Sequence, residues 1–379
     1  MLIISIAIFL LVVYSLLIIY YRQSWIEAPE YKPGNAPVVN SLPYISVIIP
    51  ARNEELNLPT CIESILKQDY PKACYEVIVA DDFSEDATVK VVQDFKLANV
   101  QVLKLSEHIN SRLNSYKKVA IKLAIDNCKG ELVVTTDADC IVPPTWLSTI
   151  AAFYSENDAS FIASPVAYHK EKNFLSIFQS LDFMTLQGIT GASVYRKIYA
   201  MCNGANLAYK KSVFYAVNGF EGIDDIASGD DMLLMHKIQK SFPGEVFYLK
   251  SNKAIVNTDA MPTLSSFFNQ RIRWASKTGK YQEKKLVIVL MLVYAFNVWF
   301  LVLGIAGIFS ITALYWFLGL LVVKTIVELF YLYPVATFFG KRKLLWWFPA
   351  AQPFHILYTI IAGWLGRFGT YRWKGRKVK

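Results

Sequence analysis

Two long stretches of this chain carry no charge at all, residues 1–21 and residues 286–323. A bilayer crossing takes about 20 predominantly apolar residues, so the first stretch suffices for one helix and the second for nearly two. Such a chain is not a soluble cytosolic protein, and its 54% hydrophobic content agrees. Nor is it a bare membrane bundle. Residues 22–285 hold most of the acidic groups and are long enough for a large domain with its own core. The pattern predicts an anchor over residues 1–21, a linker over 22–44, a globular domain over 45–285, a membrane region over 286–368 and a basic tail over 369–379.

A cleaved signal peptide would need a basic segment before the first run and a small-residue cleavage site after it; the sequence has neither, so an uncleaved anchor is expected. Positive charge follows instead, at Arg22, Lys32 and Arg52, which places the globular domain on the cytoplasmic side of an inner membrane. The five cysteines, Cys61, Cys74, Cys128, Cys140 and Cys202, form no Cys-x-x-Cys pair and are read as reduced thiols. No His-Glu-x-x-His pattern supports zinc chemistry. Residues 286–340 suit two crossings, with Lys324 and Glu328 one helical turn apart and able to pair. Residues 344–368 suit either a further crossing or an interfacial or re-entrant piece broken at Pro349 and Pro353.

Within the globular domain, apolar β-branched runs alternate with helical spacing. Strands are expected at residues 45–49, 77–80, 100–105 and 132–136, and helices at 54–68, 87–95, 116–127 and 145–154. That alternation predicts an α/β fold with a mostly parallel sheet covered by helices on both faces.

Ligands of such sheets sit beyond the carboxyl ends of the strands. Three strand ends bring polar and acidic groups to that edge: Pro50-Ala51-Arg52-Asn53-Glu54, Asp81-Asp82 and Asp137-Ala138-Asp139. The first of these turns has no glycine, so it cannot let backbone amides approach a dinucleotide pyrophosphate, and no P-loop occurs elsewhere. Paired carboxylates at a strand end suit Mg²⁺ or Mn²⁺, which take oxygen ligands together with substrate phosphates; an Asx-turn before Pro143-Pro144 would also account for them. Asp230-Asp231 follows Gly229 and precedes an apolar helical stretch, as a helix N-terminus or as a general base would. Gln270-Arg271-Ile272-Arg273-Trp274 offers arginines for phosphate and an indole face for a sugar or lipid, and equally suits a basic, aromatic membrane flank.

Taken in order, these five markers resemble the family 2 glycosyltransferases of GT-A fold, in particular the membrane-embedded branch with cellulose, chitin and hyaluronan synthases and ceramide glucosyltransferases. The resemblance covers residues 45–281. It implies that Pro50, Arg52, Glu54, Asp81 and Asp82 line a nucleotide-sugar site, that Asp137 and Asp139 form the metal-binding pair with Asp139 the direct ligand, and that Asp231 is the catalytic base beside Asp230. Gln270, Arg273 and Trp274 would hold the diphosphate and the acceptor end, and Asn203, Gly204 and Asn206 would border the acceptor. Many relatives read Gly-Lys where this chain reads Tyr116-Lys117-Lys118, so Lys117 is either a phosphate-side residue or part of a solvated helix face. The implied reaction is an inverting displacement on a nucleotide sugar, with UDP the first choice of nucleotide and GDP the second, assisted by Mg²⁺ or Mn²⁺. The implied partners are that donor, a lipid or saccharide acceptor and the bilayer; no nucleic acid is among them. A lipid acceptor is expected to meet a wall made by Trp274, Phe267 and Phe268. A processive polysaccharide synthase is the alternative, and a non-catalytic sugar-binding scaffold is opposed by the intact Asp137, Asp139 and Asp231.

Overall fold

The computed structural model describes residues 2–34, 42–109, 115–199, 201–224, 228–277, 283–369, 371–373 and 376–378, the last two stretches by backbone alone. The N-terminal run forms α1 (Leu2–Glu27). It outlasts the uncharged stretch by six residues, because Lys250 Nζ donates to the carbonyls of Trp25 and Ala28 at 2.6 and 2.8 Å and so caps its last turn. Part of the expected linker, residues 35–41, lies outside the described residues.

The globular domain then alternates as the sequence predicts: β1 (Ile45–Ala51), α2 (Leu58–Leu66), β2 (Tyr75–Asp81), α3 (Thr88–Asp94), β3 (Val100–Lys104), α4 (Tyr116–Asn127), β4 (Leu132–Thr135), the short β5 (Cys140–Ile141) and α5 (Trp146–Asn157). Beyond it come β6 (Phe161–Ala163), β7 (Val166–His169), α6 (Phe174–Tyr195), β8 (Leu207–Lys210), α7 (Lys211–Ala216), α8 (Met232–Ser241), β9 (Val246–Tyr248), β10 (Val256–Asp259) and α9 (Leu264–Ser276). The main sheet has the order β3-β2-β1-β4-β8-β6-β9. Its first four strands are parallel, and β8 runs antiparallel between β4 and β6. A smaller sheet, β5-β10-β7, stands beside it.

Both faces of β1 are buried, which is why its pattern is continuous rather than alternating. Val47 and Ile49 pack with Leu58 and Ile62 of α2 and Trp146 and Ile150 of α5. Ile48 joins Ile121 and Ile125 of α4 and Leu234 and Ile238 of α8 on the other side. The parallel strands therefore end along one edge, and the loops leaving that edge build the site.

Three helices among the described residues are long and apolar enough to cross a bilayer: α1, α10 (Lys284–Phe309) and α11 (Ile311–Phe338). The Lys324–Glu328 pair forms, at 2.7 Å, and Tyr14 and Gln352 hydrogen-bond into it. Residues 344–368 do not break at their prolines. A 3₁₀ turn (Arg342–Trp347) leads into a continuous α12 (Phe348–Phe368). Pro349 falls in its first turn, where a missing N–H costs nothing, and Pro353 is carried within the helix. Helix α12 packs against α9 and α10, which ties the membrane region to the globular domain.

Candidate active site

The loops beyond β1, β2 and β4 meet those before β8 and α8 around a cleft of about 1400 Å³. Pro50, Arg52, Glu54, Asp82, Lys117, Asp137 and Asp139 line it. So do Asn203, Gly204, Asp230, Asp231, Gln270, Arg273 and Trp274. Local geometry explains how each gets there. The Arg52 guanidinium donates to the backbone carbonyls of Asp82 and Phe83 at 2.8 and 2.7 Å, stitching the ends of β1 and β2 together. Gly229 adopts a left-handed φ of +85°, and a Cβ there would lie 2.9 Å from Leu233 Cδ1, so only glycine admits the turn that presents Asp230 and Asp231. Lys118, almost wholly buried, secures the same loop by donating to the Ile223 and Ser228 carbonyls at 2.6 and 3.0 Å.

Lys117 does not lie on a solvated helix face. Its Nζ stands 3.0 Å from Asp137 Oδ1 and 3.1 Å from Asp230 Oδ2, joining the carboxylates of two loops. Burial works against its charge, but Asp137 and Asp230 outweigh burial and keep the ammonium protonated. Asp231 is the N-cap of α8. Its Oδ1 accepts the Met232 N–H at 2.7 Å and its Oδ2 the Gly204 N–H at 3.3 Å, while Lys277 Nζ lies 3.5 Å from Oδ1. Burial raises its pKa, yet Lys277, the Met232 amide and Lys117 together lower it further and bring it to about 2. Asp231 is therefore ionised at neutral pH, with both of its oxygens engaged.

Four of the predicted residues sit elsewhere. Asp81 is buried behind the loop and accepts the Ser84 N–H at 3.3 Å. Asn206 is fully buried: its Nδ2 donates to the Pro165 and Ala254 carbonyls, both at 2.8 Å, and its Oδ1 accepts from Trp146 Nε1 at 2.9 Å. It is a clamp between segments, not an acceptor contact. Phe267 is fully buried against Phe178, Phe354 and the cleft-lining Tyr358 and does not itself line the cleft, and neither does Phe268. Phe268, one residue on, falls on a different face of α9 from Phe267, so the two phenylalanines do not form one wall with Trp274. Two contributions escaped the sequence reading. Lys277 lies one turn beyond Arg273 on α9, a spacing that could have marked it. The lower wall is made by Leu286, Leu290 and Tyr294 of α10 with Ala362, Trp364 and Arg367 of α12, which no motif announces.

Asp137 and Asp139 offer hard oxygen donors side by side in the cleft, and Asp137 already attracts an ammonium. Among the described residues no group of three or more His, Cys, Asp or Glu could hold a metal ion, so the protein would supply at most these two carboxylates. This donor set fits a Mg²⁺ or Mn²⁺ ion that takes one or two carboxylates and leaves its remaining positions to water and phosphate oxygens.

Residues 46–217 match Glycosyl transferase family 2, and residues 132–366, more than half the chain, match Glycosyl transferase family group 2. The chain belongs to glycosyltransferase family 2. Among curated proteins, this family 2 transferase is 30% identical over 133 residues to glycosyltransferase AglE of Haloferax volcanii, a match covering 35% of this chain and 42% of the relative. It is 31% identical over 123 residues to a dolichyl-phosphate beta-glucosyltransferase of Dictyostelium discoideum, covering 30% of this chain and 35% of that one. The chain thus spans less than half the length of these relatives. Among solved structures it resembles the mannosyltransferase PcManGT of Pyrobaculum calidifontis, determined with GDP-Man and Mn²⁺, with a TM-score of 0.55 at 18% identity over 96% of this chain and 98% of that one. That likeness establishes a shared GT-A fold.

Proposed function

We propose that this enzyme moves a sugar from a nucleotide sugar to a lipid acceptor at the cytoplasmic face of the inner membrane, with inversion at the anomeric carbon. One observation carries the reading. The cleft that holds Asp137, Asp139 and Asp231 continues without a break into an apolar slot between α10 and α12. A molecule with a polar head and a hydrocarbon tail would fill both parts, the head beside the carboxylates and the tail along Leu290, Tyr294 and Ala362. The curated relative that acts on dolichyl phosphate is consistent with a lipid acceptor.

In this reading Pro50, Arg52, Glu54 and Asp82 hold the nucleoside, UDP being the first candidate, and Arg273 faces the diphosphate. Asp231 accepts the proton of the acceptor hydroxyl, whose oxygen bonds to the anomeric carbon as the bond to the diphosphate breaks. Gly204 and Met232 fix the Asp231 carboxylate through their N–H groups, so no reorientation is needed at that moment. Asp137 and Asp139 would hold the divalent ion, which when bound neutralises charge on the leaving diphosphate. Trp274, tilted against Phe183 with centroids 6.0 Å apart, offers its indole to the acceptor.

A processive synthase would need a polar channel through about 30 Å of hydrocarbon. Helices α1, α10 and α11 instead contribute Phe296, Phe300 and Leu332 to one buried apolar cluster, which favours transfer of one or a few sugars. The experiment is release of UDP or GDP by the purified protein in nanodiscs, across a panel of nucleotide sugars, with and without added lipid acceptors, and in chelator followed by Mn²⁺ or Mg²⁺. Metal-restored, lipid-dependent release of one nucleotide supports the reading. Long polymer formed without a lipid acceptor would restore the synthase, and release indifferent to chelator would remove the metal.

A further inference from the structure

Lys277 belongs to none of the motifs that mark the site, yet it is the cation that touches Asp231. It is buried, with 7% of its surface exposed, at the C-cap of α9, and it lines the cleft. The contacts of Asp231 are of two kinds. The Met232 and Gly204 N–H groups belong to fixed backbone of two separate segments. Lys277 reaches Oδ1 at 3.5 Å from a flexible four-carbon stem. An acceptor hydroxyl that donates to this carboxylate must reach one of its lone pairs, and among its hydrogen-bond donors in the described residues Lys277 is the one side chain that can move aside; the others are backbone N–H groups. Arg273 stands four residues earlier, on the same face of α9, and lines the same cleft. An anion bound by Arg273 would offer the ammonium an alternative partner. Among the described residues, the other charged or ionisable groups around Asp231 are Lys117 from α4, Asp230 beside it and Cys202 from the segment before β8. Lys117 is already committed to Asp137 and Asp230.

We propose that Lys277 is a positioning residue that hands over between two anions: it holds Asp231 in the resting enzyme and turns to the donor's diphosphate when that binds, leaving Asp231 to receive the acceptor's proton. This rests on the reading of Asp231 as the base of a nucleotide-sugar transferase. Its consequence is order. Without donor, the carboxylate is occupied by an ammonium and activates neither water nor acceptor; with donor, the same ammonium offsets phosphate charge and the carboxylate is released.

The test is a binding cycle on the full-length protein in nanodiscs with Mn²⁺, titrating UDP and GDP in parallel against wild type, Lys277→Met, Asp231→Asn and the double variant. A lost charge-assisted contact predicts about tenfold weaker nucleotide binding in Lys277→Met. Lys277→Arg should restore it, which separates charge from packing. Asp231→Asn removes the competing anion, so nucleotide should bind a few-fold tighter, and that gain should vanish in the double variant. Unchanged affinity in Lys277→Met, or an Asp231→Asn effect that is the same with and without Lys277, overturns the hand-over. If Asp231→Asn keeps transfer, the base assignment falls on its own, while the cycle still reports on Lys277. If wild type binds neither nucleotide, both readings fall.

Discussion

Gly366 of α12 meets Ala275 of α9 with no space for a side chain: a Cβ on the glycine would lie 2.5 Å from the alanine Cβ and 2.9 Å from its carbonyl carbon. The neighbours of Ala275 are Trp274 and, two residues on, Lys277, both of which line the cleft. The helix that walls the apolar slot is thus seated directly on the helix that presents Arg273 and Trp274 to the cleft. Gly363, one turn earlier, lets the Tyr294 ring of α10 close in, since a Cβ there would stand 2.7 Å from it.

Gly366→Val should therefore act on catalysis through position. The contact atoms on α9 are backbone and Cβ, so neither can swing aside, and overpacking of this kind costs about 1–3 kcal/mol. Displacing Trp274 and Lys277 by an ångström predicts a loss of transfer on the order of 10²-fold, with UDP binding weakened by no more than the roughly tenfold expected for loss of the Lys277 contact. Transfer kinetics and UDP titration on the same sample check this; unaltered kcat would mean that the crossing of α9 and α12 does not set the site.

Asp231→Asn should lower transfer by about 10²–10⁴-fold, the usual worth of a general base, and retain UDP binding. Asp230→Asn should cost less, because Asp230 is engaged with Lys117. The carboxyl of Asp231 also carries a stability signature. Its pKa of about 2 lies below the value of about 3.9 in an unfolded chain, so its ionised form contributes stability above about pH 4 that is lost as pH falls through about 2. The gap in thermal midpoint between wild type and Asp231→Asn should shrink as the buffer is acidified across that window.

Much of this arrangement was legible in the residues because local chemistry dictated it. The continuous Val47–Ile49 run had to be a strand buried on both faces, and a glycine before two aspartates had to be a turn into a helix. What escaped depends on distant partners. Asp81 and Asp82 look alike in sequence; only the packing of the β1 and β2 ends decides that Asp82 borders the cleft while Asp81 turns to Ser84. Asn206 was misplaced for the same reason, since its three partners come from residues 146, 165 and 254. Lys117 without its glycine neighbour still reaches the site, because the register of α4 aims it there and Asp137 and Asp230 hold it.

Asn206→Ala separates scaffold from chemistry. It would leave the Trp146 Nε1–H and the Pro165 and Ala254 carbonyls without their present partner, at about 1–3 kcal/mol for a buried group so stranded. The expected outcome is a clear drop in thermal midpoint, with KM for donor nearly unchanged at a temperature where the variant is folded. A raised KM for acceptor with full stability would instead return Asn206 to the acceptor edge.

Ala362→Phe tests the slot itself. Ala362 is buried on α12 and lines the same cleft as Leu290 and Tyr294 of α10. A phenyl ring there takes the volume a hydrocarbon tail would use and touches neither the nucleoside pocket nor Asp231. Transfer to a lipid acceptor should fall steeply, while binding of UDP and slow release of nucleotide to water persist. A soluble acceptor carrying the same head group without the tail should be used equally by wild type and variant, since it never enters the slot. Loss of activity toward both acceptors would show that the ring had disturbed α9 as well. Unimpaired lipid transfer would show that the tail lies elsewhere, against the outer faces of α1, α10 and α11.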